Sequence, residues 1–169
     1  MTPELTPEEA EAMRLAFRQG MSQLAAAVHV VTTDGSAGIA GFTASAVCSV
    51  SDSPPTLLVC LNRSSSVATV FEQNRVLCVN TLTHQHEALS RAFGGTTSQT
   101  ERFAAGKWVT AATGAPRLVD ALVSFDCEVV NIVEAGSHWV LLSRIVDIAH
   151  GNADQAALVY FRRRYAAIL

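Results

Sequence analysis

LVSFDCEVVNIVEAGSHWVLLSRIVDIAH, residues 122–150, decides the fold class. Leu122–Val133 and Trp139–His150 are long runs rich in β-branched and apolar residues, and both read as strands. They are joined through Glu134–His138, where Gly136 permits a tight turn. Outward from this pair the same texture recurs. Val28–Thr33 is β-branched and closed by Asp34-Gly35, a hairpin signal. Ala37–Ser51 follows as one or two strands, with Gly38 and Gly41 marking a bulge or a close approach. Ser53-Pro54-Pro55 is a turn, and Thr56–Leu61, Val76–Leu82 and Ala157–Phe161 are further short strands.

Helical signals are fewer. Thr6-Pro7-Glu8-Glu9 supplies a hydroxyl cap, a proline at the first helical position and acids at the positive end of the dipole. Met13, Phe17, Met21 and Leu24 then recur at helical spacing and predict a helix over about 7–27 with one apolar face. Ser64–Asn74 reads as a helix capped by one of three serines, and His84–Phe93 as another short one. Gly94–Pro116, rich in Gly, Thr and Ala, reads as a long functional loop. A basic aromatic tail, Arg162-Arg163-Arg164-Tyr165, follows the last strand. About seven strands without regular βαβ alternation predict a mainly β, closed or partly closed antiparallel barrel with peripheral α-helices.

At 169 residues the chain reads as a single domain, 1–169, with the barrel over about 28–166, large enough to bury roughly 70% of its unfolded surface. Hydrophobic residues make up 49% and charged residues 16%, a balance that suggests apolar surface covered by another subunit. A net charge of −3 gives no footprint for nucleic acid or an anionic membrane. No run approaches the about 20 apolar residues of a membrane span, and the acidic N-terminus lacks the core of a secretory signal. Cys48, Cys60, Cys78 and Cys127 stand in apolar runs with no CxxC pair, as small buried hydrophobes do. We expect a cytoplasmic protein with no metal site.

No GxSxG elbow, HExxH, Walker loop or GxGxxG fingerprint is present. His84 and His86, two apart, point away from each other, and His29 in its apolar strand reads as a core histidine. Thr43, Ser45 and Ser49 fall largely on one strand face, where they meet either water or the polar edge of a planar heterocycle. Asn62-Arg63-Ser64-Ser65-Ser66 follows a strand and precedes a helix, a setting for plain capping or for an anion. Together the two patches suit a flat, phosphorylated ligand. His138 projects from a strand connection, as a solvated or a functional residue.

GFTASAVCSVSDSPPTLLVCLNRSSSV (41–67), CVNTL (78–82), GSH (136–138) and LVYFRRRY (158–165) resemble the flavin reductase-like family over roughly residues 13–166. Within it, FGGTTSQTERFAAGKW (93–108) and ALVSFDCEV (121–129) are most similar to the FMN reductases of pyrimidine utilisation. The reductase components of 4-hydroxyphenylacetate hydroxylation are similar over the same span. The resemblance implies a split β-barrel, a homodimer with flavin near the subunit interface, and FMN reduced by NADH, with FAD and NADPH left open. A flavin-dependent monooxygenase would take the diffusible reduced flavin, in pyrimidine catabolism or as an aromatic hydroxylase; a flavin-binding electron carrier is the alternative of another class. Thr43, Ala44, Ser45 and Ser49 would line the isoalloxazine, and Asn62, Ser64, Ser65 and Ser66 would hold the phosphate, with Arg63 as a further donor. Asn80 would face the flavin or serve its strand. Arg102 and Phe103 would cover the cofactor, His138 would stand as the catalytic residue on the nicotinamide side, and Tyr160 and Arg164 would lie near the rim. Many relatives carry an aspartate where this chain has Ser137, which removes any ionic role there.

Overall fold

A computed structural model describes residues 5–169. Its strands are β1 (Ala26–Ala27), β2 (His29–Thr33), β3 (Ala40–Ala44), β4 (Val47–Asp52), β5 (Pro55–Asn62), β6 (Val76–Thr81), β7 (Trp108–Thr110), β8 (Pro116–Leu118), β9 (Val123–Ala135), β10 (His138–His150), β11 (Ala157–Phe161) and β12 (Arg164–Ile168). The helices are α1 (Pro7–Met21), α2 (Ala68–Asn74), α3 (Glu87–Gly94) and α4 (Gln99–Ala104), with a 3-10 turn at His84–His86.

The main sheet runs β3-β2-β6-β9-β10-β5-β4, every neighbouring pair antiparallel. Its two edge strands, β3 and β4, are consecutive in the chain and separated only by Ser45-Ala46. A connection that short holds the two edges together, so the sheet must roll round on itself. The Cys60 amide donates to the Ala46 carbonyl at 3.0 Å, which carries the β4–β5 ladder one rung into this link. The result is a barrel with a seam, the split β-barrel expected from the sequence. At the seam, the open edge of β3 is sealed by side chains. Gln99 Oε1 accepts from the Gly41 amide at 2.9 Å, and Arg102 Nη1 donates to the Gly41 carbonyl at 3.0 Å. Helix α4 thereby takes the backbone groups that another strand would pair. Gly41 itself cannot be larger, because a Cβ there would stand 2.5 Å from the Phe93 ring.

Alternation along the strands sorts two cores. Val31, Leu57, Val59, Leu61, Leu77, Val79 and Leu141 face the barrel interior with Phe71 of α2. Phe71 is fully buried and meets Phe42 edge-on at 5.1 Å; a side chain of that size stabilises by about 2–3 kcal/mol on burial. Val28, Val30, Leu82, Leu89, Phe93, Leu118 and Leu158 form the second core, outside the barrel and beneath α3, β8 and β11. β2 is therefore buried on both faces. His29 lies within it, its Nδ1 3.1 Å from Thr81 Oγ1, and desolvation lowers its pKa from 6.5 to about 4. The β9–β10 hairpin turns through Gly136, whose φ of +58° belongs to the left-handed region.

Several elements differ from the sequence expectation. The Thr6 cap opens α1 as read, with Glu9 completing a capping box, but the helix ends at Met21 rather than near Ala27. Met13, Phe17, Met21 and Leu24 are all exposed, so among the described residues nothing covers the apolar face. α2 begins at Ala68 with no side-chain cap, which leaves the serines in the preceding turn. The stretch 94–116 is not a loop: Ser98 and Glu101 form a capping box for α4, and β7 pairs with β8. The basic tail is also structured, since β12 pairs with β11. All four cysteines are free thiols, but Cys48 is exposed rather than buried. Desolvation raises the Cys127 thiol to about 12, which leaves it inert. Among the described residues, no helix is long and apolar enough to cross a membrane.

Candidate functional site

The seam carries a groove made of two cavities, about 360 Å³ and about 500 Å³, that share Thr43, Ala44, Ser45 and Gly94. Their common floor is the end of β3 and the two-residue link to β4. The smaller, inner cavity lies against Asn62, Ser65, Ser66, Arg102 and His138. The larger, outer one opens toward Glu87, Arg91, Tyr160, Arg163, Arg164 and Tyr165.

The barrel's register assembles the inner end. His138 is the first residue of β10 and pairs with Asn62, the last of β5, so residues 76 apart in sequence stand on one rung. His138 Nδ1 lies 2.9 Å from the Ser137 hydroxyl. The Asn62 carboxamide oxygen accepts from both the amide and the hydroxyl of Ser64, at 2.9 and 2.8 Å. This Asx turn folds the serine cluster back and presents Ser65 and Ser66 to the cavity. Along the floor, small side chains leave room for a flat ring. The Thr43 hydroxyl is already engaged, donating to the Ser90 carbonyl at 2.7 Å. Ser45 sits at the break between β3 and β4 and is exposed.

The structure thus brings Thr43, Ala44, Ser45, Asn62, Ser65, Ser66, Arg102 and His138 to the inner cavity, and Tyr160 and Arg164 to the outer one. The other expected residues lie elsewhere. Ser49 is exposed on β4, because the strand break at Ser45-Ala46 interrupts the alternation from Thr43. Arg63 docks on the β9–β10 turn, with its amide on the Ser137 carbonyl at 3.0 Å and its guanidinium 3.1 Å from Glu134. Ser64 is held in the Asx turn. Asn80 is fully buried and tied to the Val30 carbonyl, the Leu118 amide and the Ser124 hydroxyl, which is its strand-serving role. Phe103 packs edge-on against Phe93 and Trp108. Arg102 borders the cavity, but its guanidinium donates to the carbonyls of Gly41, Phe93, Gly95 and Thr97 rather than covering the groove. His138 lies beside the serine turn, at the opposite end of the groove from Tyr160 and Arg164.

Sequence reasoning did not bring Glu87, Arg91, Arg163 and Tyr165 to the groove, where the structure has them lining the outer cavity. The first two read as an ordinary i,i+4 pair on a helix surface. Only the packing of α3 against β3 and of the β11–β12 hairpin beside it turns them toward the groove.

A family model described as flavin reductase like domain matches residues 21–169. FMN reductase (NADH) RutF of Ancylobacter novellus is 60% identical over 152 residues, covering 90% of this chain and 83% of that protein. The protein of the same name from Acinetobacter baylyi is 62% identical over 150 residues, covering 89% and 79%. Among solved structures, a Haemophilus somnus protein superposes with a TM-score of 0.88 at 51% identity, over 91% of this chain and 98% of that one. The flavin reductase PheA2 does so with a TM-score of 0.80 at 29% identity, over 92% and 97%. A model match across nearly the whole chain and relatives at this identity make it a member of the flavin reductase-like family.

Proposed function

We propose that the chain is an NADH-dependent FMN reductase that releases reduced FMN to a separate flavin-dependent monooxygenase of pyrimidine (uracil) catabolism. The observation that carries this reading is the continuous groove at the seam, floored by Thr43–Ser45 and ending at the Asn62–Ser66 turn. The name of the relatives at about 60% identity, FMN reductase (NADH), supports the choice of cofactor pair.

FMN held in this groove would supply the hydride-accepting chemistry, with reduced nicotinamide as the donor. The chain's residues have to bind, orient and shield. Ala44 and Ser45 give a flat floor for the ring. Asn62, Ser65 and Ser66 hold the phosphate by hydroxyl and amide donors. His138 stands beside them with Nε2 left to meet the bound molecule, its Nδ1 being paired with Ser137. Thr43, anchored to the Ser90 carbonyl, fixes the floor against α3. Because the rim residues Arg91, Arg163 and Arg164 are exposed, the flavin has a way out after reduction.

The exposed apolar face of α1, with Phe17 at 63% and Met13 at 61% accessibility, supports a homodimer in which a second copy covers it. Steady-state assays with NADH or NADPH against FMN or FAD test the function. The expected result is turnover of several equivalents of added FMN, fastest with NADH. Failure to turn over free FMN with either nucleotide would sink the reading.

A further inference from the structure

The outer cavity is larger than the inner one and has a different character. Glu87, Arg91, Arg163 and Arg164 are its charged residues, so three guanidiniums outnumber one carboxylate by two. That local excess stands in a chain whose net charge is −3. Glu87 Oε1 accepts from Arg91 Nη2 at 2.7 Å and Nε at 3.1 Å, and the Arg91 guanidinium lies 4.9 Å over the Tyr165 ring. Tyr165 in turn holds the Ser90 hydroxyl at 2.8 Å, and Ser90's carbonyl receives Thr43. Arg91 is therefore pre-oriented, and its anchorage runs to the groove floor.

Arg163 is held there differently. Arg162 and Arg163 form the two-residue turn between β11 and β12, and both are left-handed, with φ of +48° and +61°. Hairpin turns of this kind ordinarily use glycine or asparagine, and a long side chain there is strained. Arg162 leaves the cavity, with Nε on Gln23 of the segment after α1 at 3.0 Å. Arg163 lines the cavity and touches α1 through Gln19 at 3.2 Å. The turn keeps a guanidinium at a position where glycine would be the relaxed choice.

We propose that Arg91, Arg163 and Arg164 form the subsite for the diphosphate of the dinucleotide hydride donor. The excess of two positive charges matches the two negative charges of a dinucleotide diphosphate, and arginine's planar fork suits phosphate oxygens. With FMN's phosphate on the Asn62–Ser66 turn, the donor enters from the rim and lays its nicotinamide over the shared floor at Thr43–Ser45. This placement rests on the reductase reading above.

The test compares Arg163→Gly with Arg162→Gly in the full-length protein. Both changes remove one positive charge and relax the same turn, so both are expected to raise Tm by about 2 °C. Arg163→Gly is expected to raise KM for NADH about tenfold, with kcat and KM for FMN unchanged. Arg162→Gly should leave all three kinetic parameters in place. Calorimetric titration with ADP-ribose, which carries the diphosphate without the nicotinamide, should show the same about tenfold loss for Arg163→Gly. An unchanged KM for NADH in Arg163→Gly, a raised KM for FMN in its place, or an equal effect of Arg162→Gly overturns the proposal. If the wild type reduces no FMN yet binds ADP-ribose in an Arg163-dependent way, the subsite stands and only the reductase reading falls.

Discussion

The two ends of the groove both use arginine, and they use it in opposite ways. At the inner end Arg102 is buried and fully committed to the fold. It satisfies carbonyls at the C-terminal end of α3 and closes the edge of β3 at Gly41. At the rim, Arg91, Arg163 and Arg164 are exposed, and the hydrogen bonds of Arg91 to Glu87 and of Arg163 to Gln19 go to side chains rather than to buried backbone. A guanidinium enclosed by carbonyls is part of the wall, whereas one standing over a cavity is available to a ligand. Proximity to the groove does not separate the two roles; the hydrogen-bond partners do.

The comparison breaks most visibly at Arg102. Arg102→Ala leaves buried carbonyls without donors and opens the β3 edge, and is expected to destabilise by about 3–4 kcal/mol. Urea unfolding measures it; a loss below about 1 kcal/mol would make Arg102 a ligand residue after all. The next largest effect belongs to His29, beneath the groove floor. Its folded pKa of about 4 lies below the ordinary 6.5, so the unfolded chain binds the extra proton between those values. Its contribution is complete above about pH 6.5 and is lost as pH falls toward 4, up to about 3 kcal/mol. His29→Gln should flatten that part of the stability profile. At the rim the smallest stability change is expected, and with the opposite sign, in Arg163→Gly.

The barrel was legible because its evidence is local: alternation, β-branching and Gly136 mark β9 and β10 without any tertiary knowledge. α4 was equally marked by Ser98 and Glu101 but was masked by the glycine- and threonine-rich composition around it. The floor at Thr43–Ser45 and the turn at Asn62–Ser66 could be read as small and hydroxyl-rich. What could not be read is which hydroxyls remain available. Thr43 is engaged by Ser90, and Ser64 by Asn62, through contacts fixed by packing or by a local turn. Asn80 and Ser45 have similar chemistry in the sequence. The sheet buries one completely, and the strand break exposes the other.

Ser45 therefore offers the most direct test of the seam groove as the place where flavin is bound and reduced. It borders both cavities and is exposed, so Ser45→Trp fills the floor without disturbing either core. The measurement is anaerobic bleaching of excess FMN by NADH, with the melting curve recorded on the same sample. The groove account predicts an unchanged melting curve and FMN turnover reduced at least about tenfold. A folded Ser45→Trp protein that reduces FMN at the wild-type rate would contradict it.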